Sequence, residues 1–144
     1  MPNHVYNCLK ITGDEKSLKD FKTENKGEEK VQPLSFEKLI PTPEESLSDK
    51  EIKKSMPAWY SFRVQNWGTK WDCYEIEEEH TKEYLLYKFL TAWSPPEAWL
   101  RGIAKKYPEL SFQMCFEEEA NNFPKGTYRI KGEKFKELKG CKIK

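Results

Sequence analysis

No apolar run in this chain of 144 residues approaches the length a membrane-crossing helix needs. The opening residues, Met1-Pro2-Asn3-His4, lack the basic and apolar regions of an export signal. Net charge is nearly absent, since 25 Lys and Arg face 24 Asp and Glu. Without a broad positive field, a nucleic-acid partner is not expected. Close cysteine pairs are missing too. Cys8, Cys73, Cys115 and Cys141 stand far apart, and only His4 lies near one of them, so the pattern supports neither a zinc site nor a disulfide framework. There are just two histidines, His4 and His80, and no Ser or Cys nucleophile signature accompanies them, which argues against a hydrolytic triad. The acidic runs at 77–79 and 117–119 lack the Asp-rich, glycine-hinged loop of a cation site. These absences describe a soluble cytoplasmic domain with reduced thiols, no metal, no cofactor and no membrane partner.

What the chain does have is aromatic residues, at 14% of the total, in a length that suits one domain with a real core. Val5, Asn7, Leu9 and Ile11 alternate with polar neighbours, which predicts a first strand. Asp14 then caps a short helix whose Leu18 and Phe21 share a face. A charged connection at 27–32 leads to the apolar cluster Leu34, Phe36, Leu39 and Ile40, closed by Pro41-Thr42-Pro43. Residues 44–54 read as a polar surface excursion. A helix from Pro57 carries Trp59, Phe62 and Asn66 at helical spacing and stops at Asn66 or Gly68. Cys73 to Ile76 begin a second strand, with a turn around 77–82. The run Tyr84 to Leu90 suits a strand covered on both faces. Ser94 and Glu97 form a capping box for a helix bearing Trp99, Ile103 and Tyr107. Alternation from Leu110 to Phe116 predicts a further strand, Asn121-Asn122 a turn, and residues 127–130 one more strand. A Lys-rich tail, 131–144, follows.

In this order the core is strand, helix, strand, strand, helix, strand. That is the split βαββαβ sandwich of the ferredoxin-like α+β class, with an antiparallel sheet, helices on one face, and a helical insertion before the second core strand. The domain spans 1–130, with the insertion at about 41–70. Two indoles flank the loop Asn66-Trp67-Gly68-Thr69-Lys70-Trp71-Asp72, and Trp93 recurs ahead of Ser94-Pro95-Pro96. Indoles at such positions either pin a loop to a core or wall a binding site. As a site, Trp67, Trp71 and Trp93 would stack a planar ligand, with Asn66 alongside. Lys70 would meet an anion and Asp72 accept hydrogen bonds. His4 is the one further candidate.

Several segments together resemble the YubB-like ferredoxin-like family of plasmid, phage and genomic-island proteins. They are Met1 to Val5, Asn7, Ile11-Thr12-Gly13, Leu39 to Pro43, Asn66 to Asp72, Thr91 to Pro96, and Asn121-Asn122-Phe123, in order along nearly the whole domain. The chain departs from that pattern at 44–55 and at Pro124-Lys125. The resemblance implies the fold and a mobile-element setting, and no established reaction. The expected function is a non-catalytic binding module for a host protein or a small anionic ligand, with counter-defence as one use. The alternatives are a small enzyme with His4 or Asp72 as acid or base, and a structural component of an oligomer.

Overall fold

The computed structural model describes residues 4–24, 34–41, 58–69, 72–92, 94–118 and 126–140. Strand β1 (His4–Thr12) alternates as its sequence demands, with Val5, Leu9 and Ile11 fully buried and Tyr6 turned to the other side. Helix α1 (Glu15–Glu24) starts at Asp14, whose carboxylate accepts the Ser17 N–H at 3.1 Å. Its Leu18 and Phe21 are fully buried, each contributing about 1.5–3 kcal/mol of apolar burial. A one-turn helix α2 (Phe36–Leu39) and helix α3 (Ala58–Asn66) precede the hairpin of β2 (Tyr74–His80) and β3 (Tyr84–Ala92). Helix α4 (Glu97–Lys106) leads to β4 (Ser111–Glu118), then β5 (Gly126–Lys131) and β6 (Lys134–Lys139).

The six strands form one antiparallel sheet in the order β2-β3-β1-β4-β5-β6. The first four are the ferredoxin-like core that the sequence predicts. Two further strands extend it beyond β4. In register, Leu9 lies between Tyr87 and Met114, and Ile11 between Leu85 and Phe112. These side chains face α1 and α4 and make the core with Trp99, Leu100 and Ile103. Phe21 packs edge-on to Tyr107 with ring centres 5.0 Å apart, and 5.9 Å from Phe112.

Several expectations need correcting. The hairpin turn is not at 77–82: β2 runs on to His80, and Thr81 Oγ1 accepts the Glu83 and Tyr84 N–H groups. The acidic run alternates, with Glu77 opposite Lys88 on one face and half-buried Glu78 opposite Tyr87 on the other, paired with Lys22 at 3.5 Å. Strand β3 is covered on one face only, because Leu85, Tyr87 and Phe89 are buried while Lys88 is exposed. Helix α4 has no Ser94 cap; Pro96 is its N-cap residue, and the Ser94 hydroxyl donates instead to the Gly68 carbonyl. Within the expected Lys-rich tail lies β6. It is joined to β5 by a tight turn whose Gly132 takes φ 59, the conformation a type II′ turn reserves for glycine. The thiols are not all reduced: Cys8 and Cys73 are free, but Cys115 is disulfide-bonded. Strand pairing sets Cys8 opposite Cys115 without bonding the two, and Cys141 lies outside the described residues. The 27–32 connection, the 44–54 excursion and the Asn121-Asn122 turn lie there too.

No helix among the described residues is long and apolar enough to cross a membrane.

Candidate functional site

The indole loop is built as an anchor. Trp67 is fully buried, its Nε1–H donates to the Ile40 carbonyl at 2.9 Å, and its ring meets Phe36 edge-on at 5.9 Å. Phe36 in turn lies 4.5 Å from Trp99, so the insertion is locked to α4 through a stack of rings. The Arg63 guanidinium covers Trp67 at 4.9 Å. At Gly68, with φ +84, a Cβ would stand 3.1 Å from the Glu97 nitrogen and 3.2 Å from the Pro95 oxygen; only glycine fits that approach. Thr69 Oγ1 donates to the Ala92 carbonyl at 2.9 Å.

Asp72 has a comparable duty. Its carboxylate accepts from Ser35 Oγ at 2.8 Å, Phe36 N–H at 2.8 Å, Glu37 N–H at 3.2 Å and Cys73 N–H at 2.8 Å. A carboxylate has about four acceptor sites, so this one is filled. The group ties the start of α2 to the entry of β2. The neighbouring Cys73 thiol is pushed well up, first by burial and then by the Asp72 charge. Asn66 Nδ2 donates to the Phe62 carbonyl at 2.9 Å, within its own helix. Trp67 and Asp72 therefore hold the insertion in place. Lys70, Trp71 and Trp93 lie outside the described residues.

A buried polar chain continues this anchorage into the sheet. Asn7 Nδ2 donates to Thr91 Oγ1 at 3.0 Å, and the Thr91 hydroxyl donates to the Ser94 carbonyl at 2.8 Å. Ser94 passes on to Gly68. Asn7, Gly68, Thr91 and Ser94, from segments far apart in the sequence, are thus joined by one chain of hydrogen bonds.

The face of the sheet away from α1 and α4 has room for a ligand. At its centre Tyr6 is 51% exposed, in a groove of about 370 Å³ lined by Tyr6, Cys8, Glu75, Glu77, Lys88 and Leu90. His4 sits at the edge of this face, its Nδ1 bonded to the Tyr74 hydroxyl and its ring edge-on to that phenol at 5.5 Å. Burial pushes the Cys8 thiol up, with Lys88 opposing, so it stays protonated at neutral pH and is a poor nucleophile. A second groove, of about 400 Å³, lies over β4, β5 and β6. Sequence reasoning missed both grooves, because each needs the strand register. The signal within reach was the alternate set of each strand, such as Tyr6, Cys8 and Lys10. No three His, Cys, Asp or Glu side chains among the described residues could hold a metal ion.

No curated protein matches this chain. Among solved structures, a protein api92 from Yersinia pseudotuberculosis is similar, with a TM-score of 0.58 and 13% identity over 75% of this chain. The chain spans 40% of that protein's length, so this likeness concerns the fold alone. The family model described as the ferredoxin-like domain in Api92-like protein matches residues 67–138, from the buried Trp67 through β6. With half of its length matched in this way, the chain belongs to the family of ferredoxin-like domains of Api92-like proteins.

Proposed function

We propose that the protein is a non-catalytic binding module, recognising a host protein or a small anionic ligand through the open face of its sheet. The observation that carries this reading is a half-exposed Tyr6 at the centre of a concave face whose opposite side is fully packed. An exposed aromatic among mixed charges is the composition of a recognition surface. A catalytic reading has less to stand on: the Asp72 carboxylate is filled by four donors, and the Cys8 thiol is held protonated. The ordered resemblance to YubB-like domains supports a plasmid or phage setting inside a bacterial cytoplasm, where interference with host defence is a plausible use.

The test is affinity capture from host extract with the wild type and with a Tyr6→Ala/Lys88→Glu variant, alongside thermal unfolding of both. A species retained by the wild type and lost by an equally stable variant supports the open face. Equal retention by both would move recognition elsewhere on the molecule.

A further inference from the structure

We infer that the groove over β4, β5 and β6 binds an oligophosphate group, the di- or triphosphate of a small molecule. This rests on the open-face reading above and names its ligand class. In the hairpin register, Arg129 stands directly opposite Lys136, and Lys131 directly opposite Lys134. Like charges opposed across neighbouring strands destabilise a sheet. The same face shows the favourable arrangement at its other end, where Glu77 is opposite Lys88. The tight turn at Gly132 fixes the β5–β6 register, so the four cations are held together.

The described surroundings do not neutralise the three lysines. The groove is lined by the polar residues Ser111, Gln113, Arg129, Lys131, Lys134 and Lys136 together with Phe112, Ile130 and Phe135, and no carboxylate lines it. Among the described residues, Lys131, Lys134 and Lys136 take part in no ion pair. Gln113 Oε1 is buried without a hydrogen-bond partner, so this amide can turn its NH2 toward an anion. Arg129 brings the planar donor fork that suits phosphate oxygens. Alternate residues of a strand stand about 7 Å apart and neighbouring strands about 4.8 Å apart. A single phosphate cannot meet four cations on that lattice, whereas two or three linked phosphoryl groups can. The open-face phenols Tyr6, Tyr74 and Tyr84 stand on β1, β2 and β3, across β4 from the cations, which leaves no stacking platform for successive bases. The arrangement therefore favours a small oligophosphate over single-stranded nucleic acid.

The experiment is calorimetric titration of the full chain with inorganic tripolyphosphate, using sulfate as the simple-anion control. One saturable site is expected, tighter for tripolyphosphate than for sulfate, weakened by about tenfold or more in Lys134→Gln/Lys136→Gln. It should be unchanged in Lys105→Gln, on exposed helix surface. The double variant should keep or raise its Tm, because a repulsion has been removed, and this separates loss of the site from loss of the fold. Absence of saturable binding at low salt, or equal affinity in the double variant, overturns the proposal. So does a single-stranded oligonucleotide that displaces tripolyphosphate with affinity rising with its length. If tripolyphosphate fails to bind while the Tyr6 and Lys88 substitutions still abolish capture, the oligophosphate site alone is overturned and the open-face reading stands.

Discussion

The two faces of the sheet are made by the same strands, yet they follow opposite rules. On the helix side, the large rings of Phe21, Phe36, Trp67, Tyr87 and Trp99 are fully buried, and the Trp67 N–H and the Asp72 carboxylate both have partners. On the open side, Tyr6 is half exposed and cations face cations across β5 and β6. The helix side buries its large rings, although the Trp99 Nε1–H has no partner there, whereas the open side keeps like charges in register that cost stability. Such retained costs mark a face for recognition. The comparison also places Trp67, the buried indole of that loop, on the stable face as an anchor.

The largest effect should come from Trp67→Ala, which empties a buried indole site and leaves the Ile40 carbonyl without its donor. A loss of about 4 kcal/mol is expected in denaturant unfolding. A loss below about 1 kcal/mol would break the comparison, since the loop would then not be an anchor. Asp72→Ala comes next. Four donors lose one shared acceptor, and a loss of about 3 kcal/mol is expected by the same measurement. A binding role without structural duty would leave stability unchanged.

Alkaline titration sharpens the contrast at smaller scale. Burial, aided by Glu78, raises the Tyr87 phenol far above its ordinary value, and burial with Glu97 and Glu137 raises Tyr128 likewise. The unfolded phenols ionise near pH ~10, while the folded ones stay protonated. Above that pH the unfolded state binds fewer protons, so stability is complete below it and falls as pH rises beyond it. Tyr87→Phe should flatten that fall, as measured by Tm against pH. Smallest of all is Tyr6→Ala, expected to change stability by no more than about 0.5 kcal/mol. A large loss there would mean that the open face is covered and packed.

Much of the architecture was legible because alternation and capping are local. Val5 to Ile11 alternated, Asp14 preceded a helix, and Leu18 and Phe21 were three apart, so β1 and α1 could be read residue by residue. Errors arose where a residue's partner was distant in the chain. Ser94 has the spacing of a capping box, yet its hydroxyl is drawn to the Gly68 carbonyl across the fold. Residues 77–79 looked like a charged turn, because the ion pair of Glu78 with Lys22 on α1 is not visible in either segment alone. Lysines at 134, 136 and 139 looked like a solubilising tail, although Phe135 between them packs on Tyr128 at 5.4 Å and makes the segment a strand.

By itself, the sequence determined the elements, their order and hence the ferredoxin-like class, since backbone geometry and side-chain period act over a few residues. Tertiary structure alone decided that the Trp67 indole is an anchor, and which cations share a groove. Those outcomes depend on strand register, and register is set by contacts between segments many tens of residues apart.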